Sequence, residues 1–275
     1  MKLLDGKVVV ITGSGRGIGA AAARLFGQHG AKVVVSDLDP APAQAVADEI
    51  TAAGGTAISV AGDVTQPDFG QRLVEATLAE FGTLDVLVNN AGYTWDGVLH
   101  TMSDEQWDAM ITVHATAPFR IIRAAAPFLR ATAKQEMQEL GAAKARKIIN
   151  VSSTSGVYGN AGQINYATAK AGIVGLTKTV AKEWGRFNIQ TNALCYGFIG
   201  TRLTAEKEGG ETIERDGKQI KLGVPEAMIS GLTMLHPMGR AGTPTEAAGP
   251  MIFLASELSN YVNGEVLEVT GGFSM

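Results

Sequence analysis

Short runs rich in valine and isoleucine, each separated from the next by a stretch with helical spacing, constrain this chain more than any other feature. The runs are Lys7–Ile11, Lys32–Ser36, Thr56–Val60, Asp85–Asn89, Lys147–Val151, Ile189–Leu194 and Glu265–Val269. Most are continuously apolar and do not alternate, which is the pattern of a parallel sheet covered on both faces. Between them Ile18–His29, Ala41–Ala53, Asp68–Phe81, Asp104–Leu129, Tyr166–Phe187 and Thr245–Ala255 carry helical periodicity. Strict alternation joined by right-handed crossovers predicts an α/β fold, a doubly wound parallel sheet with helices on both faces.

Ser103 and Gln106 form the pattern of a capping box at the start of the fourth helix. Two stretches break the rhythm. Ala131–Arg146, rich in Lys, Glu and Gln, reads as a solvated helical extension. Thr201–His236 is polar and glycine-punctuated, and a loop of that length in a compact domain is functional or mobile. It is expected to lie over a substrate and to order on binding, with Met228, Ile229, Leu232 and Met234 lining a channel or packing as one helix face. No linker divides the chain, so residues 1–275 are expected to form one domain with a substrate loop at about 201–236.

Acids and bases are interspersed at a net charge of −4, without the basic stripe of a nucleic-acid-binding protein. Cys195 is the only cysteine, so no internal disulfide forms and a reducing compartment fits. Met1–Lys7 lacks the apolar run of a signal peptide, and no stretch is apolar enough to span a bilayer; a cytoplasmic location with no membrane partner is expected. The histidines share no metal-ligand spacing, so no metal is expected, and His100 and His236 read as loop residues.

The first strand runs into Thr12-Gly13-Ser14-Gly15-Arg16-Gly17-Ile18-Gly19, which opens the first helix. A strand–glycine loop–helix junction brings backbone N–H groups to a pyrophosphate at the positive end of the helix, as in a Rossmann dinucleotide site. Asp37 closes the second strand, where an acid accepts hydrogen bonds from the adenosine ribose and repels a 2′-phosphate. Arg16 pulls the other way, because a base in the loop can hold that phosphate. NAD is favoured on this balance, with NADP the alternative. Asn89-Asn90-Ala91-Gly92 ends the fourth strand on the side where such sheets bind ligands, and Ser153 follows the fifth. Tyr166 and Lys170 then stand four residues apart on one helix face.

In this order the motifs resemble the short-chain dehydrogenase/reductase family over nearly the whole chain. The resemblance implies a nicotinamide cofactor, with Asp63 and Val64 beside the adenine, Asn90 beside the cofactor, and Gly197, Ile199 and Thr201 on the nicotinamide side. It implies Ser153, Tyr166 and Lys170 as catalytic residues and a homo-oligomer, a tetramer, as the assembly. Gly159-Asn160-Ala161-Gly162-Gln163-Ile164-Asn165-Tyr166 and Asn263–Gly272 look like the 3-oxoacyl thioester reductase branch. In the chemistry so implied, the Lys170 ammonium and the cationic oxidised nicotinamide lower the Tyr166 pKa, Tyr166 exchanges a proton with the substrate oxygen, and Ser153 stabilises charge on that oxygen.

Two departures stand out. His114 replaces a family asparagine that holds a relay water; it is expected to hold such a water, to pass the proton itself, or to serve only in packing. Tyr196 replaces a proline before Gly197 and is expected to crowd or line the substrate side, while Cys195 reads as a buried strand end. A 3-oxoacyl thioester, on acyl carrier protein or coenzyme A, is the leading substrate. The alternatives are a 3-hydroxyacyl-CoA or hydroxysteroid dehydrogenase, and a catalytically weak dinucleotide-binding regulatory protein.

Overall fold

β-Branched side chains, stiff at χ1, pack well on a pleated surface, and here they build most of the strands. The strands are β1 (Val8–Thr12), β2 (Lys32–Asp37), β3 (Thr56–Ala61), β4 (Val86–Asn89), β5 (Arg146–Ser153), β6 (Ile189–Tyr196), β7 (Thr212–Arg215), β8 (Lys218–Lys221) and β9 (Val266–Val269). The helices are α1 (Gly17–Gln28), α2 (Pro40–Ala52), α3 (Phe69–Phe81), α4 (Asp104–Ile111), α5 (Ala117–Leu140), α6 (Thr154–Tyr158), α7 (Ile164–Trp184) and α8 (Pro244–Ala255). The computed structural model describes residues 2–206, 212–215, 217–224, 229, 231, 234 and 236–273.

Seven of the strands form one parallel sheet in the order β3-β2-β1-β4-β5-β6-β9. Successive residues alternate between two apolar cores. Val9, Ile11, Val33 and Val35 pack with α1, α2 and α8, while Val10, Val34, Leu87 and Ile148 pack with α3, α4 and α5. Both faces are covered, which is why the runs read as continuous and not alternating. The expected doubly wound sheet is the one found. Its strand order reverses between β1 and β4, and such sheets bind ligands in the crevice this reversal opens at the carboxyl ends.

Three segments differ from the sequence reading. The helix expected over Asp104–Leu129 opens with the expected Ser103/Gln106 capping box, but it widens into a π turn at Thr112–Thr116, where the Ala117 N–H reaches back to the Thr112 carbonyl. Pro118 offers no N–H to the His114 carbonyl four residues back, and its ring crowds that carbonyl, which favours the wider turn here. Beyond the turn α5 runs to Leu140 and ends at Gly141, with φ 80°. The solvated extension therefore stops short of Arg146, which is buried at the start of β5.

Within Thr201–His236, β7 and β8 pair as an antiparallel hairpin, Ile213 opposite Ile220. Ile220 and Leu222 are buried, and Lys218 reaches across to Glu105 on α4 and lies over the Trp95 ring. Met228 and Leu232 lie outside the described residues. Met234 is 86% exposed and lines no channel.

Candidate active site

The carboxyl ends of β1, β2, β4, β5 and β6 open onto a cavity of about 580 Å³. At one end stands the glycine loop. Gly13 has φ 64°, and a Cβ built on it would sit 2.6 Å from Ala91 Cα, so only glycine allows β1 to meet the turn after β4 this closely. Asn90 locks that meeting: its side-chain amide donates to the Thr12 and Gly13 carbonyls, each at 2.9 Å, and Thr12 Oγ1 accepts the Asn90 and Ala91 N–H groups. The first turn of α1 carries no acid and no side-chain cap, leaving its N–H groups and positive end to the cavity that Gly17, Ile18 and Gly19 line. These residues fit a dinucleotide pyrophosphate.

Of the expected cofactor residues, Ser14 and Gly15 turn away from the cavity. Ser14 is buried, donating to the Ile11 carbonyl at 2.7 Å and accepting the Ser36 N–H at 3.0 Å, which ties the loop to β2. The Gly15 N–H donates to Asp37 Oδ2 at 2.9 Å, and Asp37 Oδ1 accepts the Asp39 N–H at 3.2 Å. Asp37 thus faces the cavity with its carboxylate held in place, while the Arg16 guanidinium pairs with Asp39 at 2.6 Å. Asp63 caps its own turn by accepting from Thr65, and the wall there is made by Gly62 and Val64. Ala91, Gly92, Gly197, Ile199 and Thr201 line the cavity further along, Thr201 standing opposite Gly17.

At the centre, Ser153 ends β5 and caps α6 by accepting the Ser155 N–H at 3.2 Å. One turn into α7 Tyr166 faces Ser153, and Lys170, on the same helix face, lies 5.6 Å from the Tyr166 ring centroid. Lys170 is buried and donates to the Val151 carbonyl at 2.8 Å. In the protein alone the Tyr166 pKa is raised, whereas the expected lowering drew on an oxidised nicotinamide as well as on Lys170. Burial pushes its phenol up to about 12, the Ser153 hydrogen bond pulls it down, and the Asp96 and Cys195 charges raise it further. Burial has the opposite effect on Lys170, bringing its ammonium down to about 7. Tyr166 is therefore a protonated phenol at neutral pH.

His114 occupies the π turn and meets the Tyr166 ring edge-on, 4.9 Å between centroids and 88° between planes. Its Nε2 lies 2.7 Å from the Tyr93 carbonyl, so Nε2 carries the proton and Nδ1 presents a lone pair. Burial, and then the Lys170 charge, push the His114 pKa well below its ordinary value; Nδ1 is buried and finds no hydrogen-bond partner among the described residues. A Cβ on Gly92 would fall 2.1 Å from the His114 ring, which explains the glycine.

Tyr196 lines the cavity, as expected, without sending its hydroxyl into it. Its hydroxyl donates to the Ala247 carbonyl on α8, and its ring lies in the core with α1 and α8. Cys195 is fully buried, as expected, its thiol pushed up to about 12 by burial. His236 is more than a loop residue: it is buried in the cavity wall, stacked on Phe273 at 4.9 Å.

Sequence reasoning gave no role to Asn165 and Gln163. The buried Asn165 amide donates to the Trp95 and Gln106 carbonyls and accepts the Tyr166 N–H at 2.8 Å, fixing the backbone that carries Tyr166. Gln163 accepts from Ser155 and Asn160 and donates to the Asp96 carboxylate. Their place directly before Tyr166, in a run of small residues, was the only available signal.

Residues 7–212 match the family model described as short chain dehydrogenase. The chain is 38% identical over 269 residues to the 3-oxoacyl-(acyl-carrier-protein) reductase of Thermotoga maritima, covering 98% of each protein. It is 38% identical over 277 residues to the enzyme of that name from Synechocystis, covering all of both. The Chlamydia muridarum enzyme of that name is 36% identical over 273 residues, covering 99% of each. With this similarity running over nearly the whole of its length, the chain belongs to the short chain dehydrogenases and is an NAD(P)-dependent oxidoreductase.

Proposed function

We propose that this protein reduces 3-oxoacyl thioesters to 3-hydroxyacyl thioesters, with NADH as the preferred cofactor. The direction is carried by the names of the relatives, which are reductases, and the Tyr166 hydroxyl facing Ser153 is placed to donate a proton to an alkoxide as it forms. Ser153 hydrogen-bonds the same oxygen, and Lys170 orients the cofactor ribose. The bound nicotinamide supplies the hydride. Leu203, Ile213 and Val224 give the cavity an apolar wall suited to an acyl chain, and the names of the relatives point to the same substrate class.

Asp37 favours NADH, since its fixed carboxylate stands where a 2′-phosphate would lie and accepts hydrogen bonds from ribose hydroxyls. No helix among the described residues is long and apolar enough to cross a membrane, and a cytoplasmic setting is part of this reading. Exposed Trp107, Phe119 and Ile164 on α4, α5 and α7 support a homo-oligomer, a tetramer by the family resemblance. The test is kcat/KM for acetoacetyl thioesters on acyl carrier protein and on coenzyme A, with both reduced cofactors, on a preparation whose mass is read by sedimentation. Reduction faster with NADH is the expected outcome; turnover of cyclic ketones alone, or none at all, would overturn the reading.

His114 acts in this scheme by accepting from a water through Nδ1. A neutral ring whose Nε2 proton is committed to Tyr93 is a poor proton carrier, so holding a water is favoured over passing the proton. His114→Leu should lower kcat by roughly tenfold with KM little changed, and His114→Asn should recover most of it. Equal losses in the two variants would remove the role.

A further inference from the structure

Two carboxylates and one guanidinium share the end of β2, and they are not equally free to move. Asp37 is fixed, its two oxygens taking the Gly15 and Asp39 N–H groups. Asp39 is the N-cap residue of α2, yet its side chain caps nothing and turns instead to Arg16, with Nη1 2.6 Å from Oδ2. Both partners are partly exposed, 40% and 48%, and both line the same end of the cavity as Asp37.

Arg16 belongs to the glycine loop and lines the same end of the cavity as Asp37, beside which a 2′-phosphate would lie. We propose that Asp39 selects the cofactor by acting as an ionic latch, holding Arg16 so that a 2′-phosphate must displace a carboxylate to gain its one cationic partner. The proposal rests on the dinucleotide site described above. An exposed ion pair is individually weak, so the latch sets a preference and does not bar the second cofactor. A phosphate dianion arriving there meets two carboxylates for one guanidinium; with Asp39 neutral the count becomes one to one, and Arg16 is free to form paired hydrogen bonds.

Asp39→Asn tests this cleanly, because asparagine is as good an N-cap residue as aspartate and α2 should be undisturbed. Dissociation constants for NAD+ and NADP+ are measured by calorimetry on the full-length protein, its Asp39→Asn and Arg16→Gln variants, and the double variant. The ratio of the two constants should move roughly tenfold toward NADP+ in Asp39→Asn, and by less at high salt, as expected for a partly exposed charge. The double variant should lose that gain. An unchanged ratio in Asp39→Asn, or a gain that survives removal of Arg16, would overturn the latch. Failure of the unaltered protein to bind either dinucleotide would overturn the site itself, and the proposal with it.

Discussion

Tyr166→Phe is expected to lower kcat for thioester reduction by ~100-fold or more, the usual cost of removing a catalytic acid. The substitution removes one hydroxyl and little else. The ring keeps its edge-on contact with His114 at 4.9 Å, Asn165 still holds the backbone N–H, and Lys170 still donates to Val151. Calorimetry should therefore give a dissociation constant for NADH close to that of the unaltered protein. The pH profile follows from the same burial. A phenol pushed up to about 12 stays protonated across the working range, whereas Lys170, brought down to about 7, loses its charge as pH rises through neutrality. Reductive kcat should fall above about pH 7, and Lys170→Arg should carry that limb to higher pH. Near-normal turnover by Tyr166→Phe would remove the assignment of the proton donor.

The largest stability effect is expected far from the chemistry, at Glu136. Its carboxylate takes two hydrogen bonds from the Arg146 guanidinium, each at 2.8 Å, and a third from the Lys144 N–H at 2.9 Å. The two side chains are 3% and 12% exposed, Arg146 the deeper. Removing one partner of a buried pair leaves the other charge uncompensated, at a cost of about 3–5 kcal/mol. Glu136→Ala should accordingly lower Tm by on the order of 10 °C. The double change Glu136→Leu with Arg146→Met should recover much of the loss, because no charge is then stranded. Arg146 chiefly, through its hydrogen bonds, holds the Glu136 carboxyl below its ordinary value of 4.5. The pair's contribution is thus fully present above about pH 4.5 and is lost as pH falls through the lower folded value. Glu136→Ala should be flatter than the unaltered protein over that acid range. A variant that melts within a degree or two of the parent would show that the pair contributes nothing.

How much of this could be read from the sequence depends on where the determining contacts lie. Strand positions and the two-sided sheet were legible because β-branched runs and helical periods are local signals. Ser153, Tyr166 and Lys170 meet because a strand end and one helix face fix them. The direction of Tyr196 was legible in principle: it lies two residues from Leu194, so both point to the α1 and α8 side of β6. In the sequence between β7 and β8, Asp-Gly is a strong two-residue turn signal, hidden because the residues around it are mostly polar. The upward effect of burial on the Tyr166 phenol was not legible, because burial depends on contacts from separate parts of the chain.

The π turn at Thr112–Thr116 acts as a spacer of one residue in the length of the chain. An α-helix that gains a residue normally turns everything beyond it by about 100°. Absorbing the extra residue as a bulge leaves Met110 on one side and Ile121, Ile122 and Ala125 on the other facing the same core. The two helices can therefore keep their packing through a change of length at this one place. A chain shortened there by a single residue would keep the same buried face on α5, and would withdraw from the cavity only the outward step that sets the His114 ring against Tyr166. The active-site end of this helix can thus be edited by length alone, without repacking the core behind it.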